Sequence, residues 1–263
     1  ARFEPFQTIF NNPATYYLPI YENANGAQAR HAQAVFTDAA SNYFRVYQPK
    51  EWGKFRPFFL HLAFTLPNAG EEAGTNSPTR YLGPAGRFAT EKWPEAERRK
   101  AAAVAHLDAS VGQLLRQLDS AKLAEHTVVI FTSDNAAQRD GLCDPAFFES
   151  NGPFRGAKGD ITEGGLRVPL LVRWPGRVKA GATNDTPVAL WDLFATAAEL
   201  AGATNAPPSD SASLVPALLG KPLPKPREFL YWETHEPTFR QAIRAGDWKG
   251  IRAGTNGTME LYH

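Results

Sequence analysis

Apolar residues recur along this chain with two different periods, and the switches between them lay out its elements. From Pro94 to about Lys122, Ala103, Leu107, Val111, Leu114 and Leu118 return every three or four residues, the spacing that lines one face of a helix. That stripe predicts a helix whose apolar side is core. Further helices are expected from His31 to Tyr47 and from Leu190 to Ala201, the last closed by Gly202, since glycine commonly follows a helix end. Elsewhere the apolar residues run together. Residues 57–66, 127–133 and 168–173 are continuous runs of this kind, and 127–133 suits a central strand of a parallel sheet covered on both faces. From Phe229 onward, short segments are separated by turn signals at Ala245-Gly246-Asp247 and Gly254-Thr255-Asn256-Gly257, which predicts an antiparallel sheet. The Gly- and Pro-rich stretch from Asn68 to Trp93 is a long loop, of a length that tends to be functional or disordered. Ala203 to Asp210, with its proline pair, reads as a linker.

Composition narrows the classes without choosing one. At 263 residues and 43% hydrophobic the chain is ordinary for a globular protein. A net charge of +1 gives no support for nucleic-acid binding, and the short basic cluster Glu97-Arg98-Arg99-Lys100 reads as the exposed start of the long helix. No apolar run approaches the roughly 20 residues that span a bilayer, and no signal peptide is visible. One cysteine, Cys143, makes an internal disulfide impossible and reads as a thiol without a catalytic role.

The chemistry lies where strands stop. Thr127 to Ser133 ends abruptly in Asp134-Asn135, and in open α/β sheets ligands gather beyond the carboxyl ends of the strands. Asp and Asn supply hard oxygens of the kind Ca²⁺ or Mg²⁺ prefers; a plain turn is the competing reading. Residues 151–169 then form a glycine-rich loop with Lys158 between Ala157 and Gly159, followed by Asp160, Glu163, Gly164-Gly165 and Arg167. Glycines allow the backbone to come close to a ligand. Lys158 could set a compact cation against an anionic oxygen, and Arg155 and Arg167 could add bidentate donors or be solvated surface charges.

Together these segments resemble the sulfatase family, sulfuric-ester hydrolases with an alkaline-phosphatase-like fold. Tyr16-Tyr17-Leu18-Pro19, Val35-Phe36-Thr37-Asp38-Ala39-Ala40, Arg56 to Pro67, His106 to Gly112, Val168 to Gly176, Leu230-Tyr231-Trp232-Glu233 and Ile243 to Lys249 match family segments in order. The resemblance implies an α/β fold with a large mixed sheet flanked by helices and a small C-terminal antiparallel sheet. The organisation expected is a catalytic portion over 1–203 and a linker with a β subdomain over 204–263. By resemblance, Asp134 and Asn135 are ligands of a divalent metal, Ca²⁺ or else Mg²⁺, and Lys158 contacts the sulfate ester. The partner implied is a sulfated small molecule or sugar, and the compartment periplasmic or extracellular.

The family's nucleophile, a formylglycine made in a Cys/Ser-x-Pro-x-Arg segment, has no counterpart here. Asn76-Ser77-Pro78-Thr79-Arg80 has the outline with Asn at the nucleophile position, and Gly141-Leu142-Cys143-Asp144-Pro145 lacks it. The chain thus reads as the C-terminal portion of a sulfatase, with the formylglycine and further metal ligands expected in a missing N-terminal segment. It should bind metal weakly, be inactive alone and leave the edges of strands 57–66 and 127–133 in need of a partner. Two histidines that the family usually has are replaced by amides, at Asn68 and Gln138, and Ala136 stands where glycine is usual. An amide can bind substrate, but it cannot act as an acid or a cation. Two alternatives therefore stay open: a degenerate binding module for sulfated ligands, and a phosphatase or phosphonate hydrolase of the same superfamily.

Overall fold

The computed structural model describes residues 6–11, 14–19, 24–25, 29–47, 57–68, 85–139, 143–224, 227–235 and 237–263. Most of the 68–93 loop and the Asn76–Arg80 segment lie outside them. Contacts divide the chain into two units, residues 1–124 with 140–143, and residues 125–139 with 144–263.

In the first unit β1 (Phe6–Asn11) and β2 (Ala14–Pro19) form an antiparallel hairpin. Helices α1 (Ala32–Tyr47) and α2 (Glu95–Ser120) follow and pack together. The buried face of α1 runs through Gln33, Thr37, Ala40 and Phe44, and that of α2 through Ala96, Ala103, Ser110, Leu114 and Leu118. The expected stripe on α2 is thus rotated, with Ser110 buried and Val111 only half-buried. A hydroxyl is tolerated there because Ser110 Oγ donates to the His106 carbonyl at 3.0 Å, as buried polar groups require. The Arg98–Lys100 cluster is half-buried rather than exposed, and Arg99 is paired with Glu95 at 2.6 Å.

Residues 57–66 depart most from expectation. They carry no assigned strand, and exposed and half-buried positions alternate along them, with Phe59 77% exposed. Only Leu66 is buried, against Ala103 and the partly buried Leu107 of α2. A strand needs a neighbour to exchange backbone hydrogen bonds with, and no described strand is paired with this segment.

In the second unit β3 (Val129–Thr132) pairs antiparallel with β4 (Leu170–Arg173), Val129 opposite Arg173. The parallel central strand expected at 127–133 is therefore corrected: β3 is half-buried along its length, in a two-stranded antiparallel pair. A parallel return would need a crossover, usually a full helix, but the described residues between the two strands contain only the four-residue α3 (Glu163–Leu166). Helix α4 (Asp192–Leu200) ends as foreseen at Gly202, whose φ of +69° lets Ala203 N–H reach back to the Ala198 carbonyl at 2.9 Å. The expected boundary at 203–204 falls inside this unit. There Ala212 N–H donates to Asp192 Oδ1 and Leu214 N–H to Thr196 Oγ1, both at 2.9 Å, ahead of the short α5 (Val215–Leu218).

The C-terminal sheet is present as predicted, with β5 (Leu230–Thr234), β6 (Arg240–Ala245), β7 (Trp248–Ala253) and β8 (Glu260–Tyr262) antiparallel in chain order. Its register sets Leu230, Arg244, Lys249 and Tyr262 in one row. Because side chains alternate between faces along a strand, Arg240, Ala242 and Arg244 share that row's face.

Candidate functional site

The site is built within the second unit from the end of β3. Just past it, Ser133 Oγ donates to the Asn135 carbonyl at 2.8 Å, a side-chain-to-backbone bond that folds the bend carrying Asp134. Asp134 is exposed, Asn135 and Gln138 are half-buried and Ala136 is buried. Ala137 is the junction with the glycine loop. Its carbonyl accepts the Lys158 N–H at 2.9 Å, and its N–H donates to Asn151 Oδ1 at 3.3 Å. Asn151 Nδ2 in turn donates to the Gly156 carbonyl at 2.8 Å.

Asn151 has a structural role that its sequence context does not announce. It uses both ends of its amide to seat the loop on the strand's exit, and nothing in its local pattern marks that.

The loop itself is closed by its own bonds. Ala157 N–H donates to Asp160 Oδ2 and Asp160 N–H to the Ala157 carbonyl, each at 2.9 Å, and Lys158 is exposed between them. The Arg155 carbonyl accepts Thr162 Oγ1 at 2.7 Å and Gly164 N–H at 2.8 Å. The glycine pair serves this folding. A methyl group on Gly164 would come 2.5 Å from the Phe154 carbonyl, and one on Gly165 2.3 Å from that of Asp160. The close approach expected toward a ligand is thus, at these two positions, an approach of the chain to itself.

Arg155 and Arg167 are both exposed, and both have partners. Arg155 bonds Tyr262 OH at 3.0 Å, and Arg167 bonds Glu163 Oε2 at 2.7 Å and lies 3.9 Å from the centre of the Phe154 ring. Glu163 also accepts Lys249 Nζ at 2.7 Å and Arg244 Nη1 at 3.1 Å, a role that sequence reasoning missed. Burial, the largest single influence, pushes the Glu163 carboxyl up, yet the hydrogen bonds and charges of Lys249 and Arg167 outweigh it and hold it below the ordinary value. For the buried Lys249 ammonium, burial pushes down and outweighs the bond from Glu163, with Arg244 and Arg167 adding to the downward shift. The two shifts agree physically: one carboxylate among three cations keeps its charge easily, while burial and two neighbouring guanidinium groups make the Lys249 ammonium easier to neutralise.

Asn68 belongs to the first unit. It is exposed there, and its N–H bonds the Thr65 carbonyl at 2.9 Å. His106, also in that unit, is exposed with its ring 5.6 Å from that of His31, and Cys143 is buried and forms no disulfide.

For a divalent cation, Asp134 and Asn135 have the right chemistry, two oxygen-bearing side chains side by side at a strand end. They fall short in number, since Ca²⁺ takes about 6–8 oxygens and the described residues contain no group of three or more His, Cys, Asp or Glu able to hold a metal.

The Sulfatase family model matches residues 2–203, and the chain belongs to the sulfatase family. Its architecture is the α/β fold of the alkaline-phosphatase-like superfamily, and its family is one of sulfuric-ester hydrolases. It is 34% identical over 220 residues to N-acetylgalactosamine-6-sulfatase of Canis lupus familiaris, covering 82% of this chain and 38% of that protein. With steryl-sulfatase of Homo sapiens it shares 40% identity over 133 residues, 49% of this chain and 23% of the relative. The solved structure of Ps i-CgsB in complex with k-i-k-neocarrahexaose superposes with a TM-score of 0.71 at 25% identity, over 94% of this chain and 51% of that one. The chain thus spans at most about half the length of these proteins.

Proposed function

We propose that the end of β3 and the glycine-lysine loop form part of a sulfate-ester site. Asp134 and Asn135 would contribute oxygen ligands to a divalent cation, Ca²⁺ or else Mg²⁺, which when bound supplies Lewis-acid stabilisation of a sulfate oxygen. Lys158 is the cation that contacts the sulfate. Gln138 is a substrate-binding amide on the same segment, and the family resemblance alone gives Asn68 the same role.

One observation carries this reading. The bond from Lys158 N–H to the Ala137 carbonyl, 2.9 Å long, joins the two motifs that chemistry alone had paired. An oxygen-rich strand end and an exposed lysine on a self-closed loop are parts suited to holding a cation and an anionic ester together. A sugar sulfate is the favoured ligand class, because the match to N-acetylgalactosamine-6-sulfatase covers more of this chain than the match to steryl-sulfatase. A periplasmic or extracellular location goes with the family, and no described helix is long and apolar enough to cross a membrane.

By itself this chain is not expected to turn over an ester. Its 263 residues hold no Cys/Ser-x-Pro-x-Arg segment from which formylglycine is made, and amides at Asn68 and Gln138 cannot pass a proton to a leaving oxygen. Those same amides favour a second reading, a module that binds sulfated ligands without hydrolysing them.

The test is a titration of the purified chain with Ca²⁺ and with 4-nitrophenyl sulfate. Weak Ca²⁺ binding lost in Asp134→Ala, ester binding lost in Lys158→Ala, and no release of 4-nitrophenol are expected. Binding unchanged in both variants would overturn the site, and metal-dependent release abolished by Asp134→Ala would overturn the inactivity.

A further inference from the structure

We propose that the C-terminal sheet is a clamp that positions Lys158, with Arg240 and Glu163 as its positioning residues. This rests on the reading of Lys158 given above and extends it to residues that touch neither metal nor ester.

A lysine can meet a sulfate reproducibly only if its Cα is held, because its four-carbon stem is flexible. The tip of the loop is held from two directions. On the strand side, Lys158 N–H is tied to Ala137. On the other side, Arg240 Nη2 donates to the Gly159 carbonyl at 2.8 Å, and Arg240 Nη1 lies 3.7 Å from Asp160 Oδ1. These bonds bracket the lysine.

A little further along, Glu163 at the start of α3 is gripped by Arg244 of β6 at 3.1 Å and Lys249 of β7 at 2.7 Å. The sheet's register makes one device of these contacts. Arg240 and Arg244 share a face of β6 with Ala242 between them, and Lys249 stands directly opposite Arg244. Three cations on one sheet face thus meet Gly159, Asp160 and Glu163 of one loop, across 80 to 86 residues of sequence.

The clamp is also electrically selective. Asp160 and Glu163 meet the sheet's cations, while the Lys158 side chain stays exposed at the tip. Arg240 carries a further geometric demand: two nitrogens of one planar guanidinium serve two successive residues of the loop, which a lysine ammonium cannot reproduce with the same geometry.

The experiment uses the full 263-residue chain and two readouts. Amide hydrogen exchange reports the Lys158 N–H bond, with the Ile130 amide of β3 as reference, and titration with inorganic sulfate reports the anion site. Arg240→Ala and Glu163→Gln should each speed exchange at Lys158 by roughly tenfold or more while Ile130 is unchanged, the mark of a local opening. Arg240→Lys should fall between Arg240→Ala and the unaltered chain. Tyr262→Phe, which removes the bonds of that hydroxyl with Arg155 and Glu260 at the sheet edge, should leave exchange at Lys158 unchanged. Sulfate affinity should fall roughly tenfold in Arg240→Ala, as expected for loss of one charge-assisted contact in positioning.

Faster exchange at Lys158 in a chain that never bound sulfate would uphold the clamp and sink the assigned role of Lys158. Exchange at Lys158 unchanged in Glu163→Gln and Arg240→Lys, or rising only in step with Ile130, would overturn the clamp. Should Arg240→Ala fail to fold, those two gentler substitutions decide the matter.

Discussion

Two carboxylates in the second unit each open a helix and each hold an arginine, yet they are built for different purposes. Asp192, at the start of α4, is 1% exposed. Two of its three partners are backbone groups, Ala189 N–H on Oδ2 at 2.8 Å and Ala212 N–H on Oδ1 at 2.9 Å, and the third is Arg227. Glu163, at the start of α3, is only half-buried and takes side chains alone, those of Arg167, Arg244 and Lys249. Backbone partners fix the path of the chain itself. Long cationic partners fix instead how one finished piece lies against another, so the Asp192 network predicts stability and the Glu163 network predicts the placing of a loop.

Removing the first carboxylate should have the largest effect. Asp192→Ala leaves a guanidinium and two backbone donors facing a void, and breaking a buried pair in this way costs about 3–5 kcal/mol. Urea unfolding should show it. A loss under about 1 kcal/mol, the scale of an exposed pair, would erase the contrast between the two networks.

Glu163→Gln should cost less, about 1–3 kcal/mol, since an amide can still accept one or two of the three bonds. It should also change the response to acid. The Glu163 carboxyl is held below its ordinary value of 4.5, so its contribution is fully present above that value and is lost as the pH falls through the lower folded one. The substituted chain should therefore lose less stability than the unaltered one when taken below pH 4.5. Parallel unfolding curves for both chains across that window would show that the three cations do not act on Glu163 as the geometry says.

The smallest effect sharpens the comparison from outside both networks. His31 precedes α1, and its Nδ1 accepts the Gln33 N–H at 3.0 Å. Burial, with His106 adding to it, pushes its imidazole down from 6.5 to about 4. The unfolded chain thus takes up a proton that the folded chain refuses, and stability should fall as the pH drops from 6.5 toward 4. Allowing for the partial exposure of His31, the change should be about 1 kcal/mol. His31→Asn keeps an acceptor at the helix start and should flatten the curve in that window. A slope that survives the substitution would have to come from another group.

What was legible in the sequence followed from local periodicity and local turn chemistry. A 3.6-residue period announces α1, α2 and α4 because it says which side of a helix must be hidden. The C-terminal turns announce β5 to β8 because short hairpins are decided within a few residues. Gly202 ends α4 for a reason contained in its own backbone, and the motifs around Asp134 and Lys158 carried the family resemblance that residues 2–203 bear out. The tertiary structure alone decided the rest. An apolar run says that a strand wants cover but not which segment pairs with it, so the antiparallel match of β3 to β4 and the absence of a ladder along 57–66 could not be read in advance. Neither could the work of Asn151, Arg240 and Glu163. Each acts through a hydrogen bond to a residue 5 to 86 positions away, and a hydrogen bond depends on distance in space, which sequence spacing does not encode until the chain has folded.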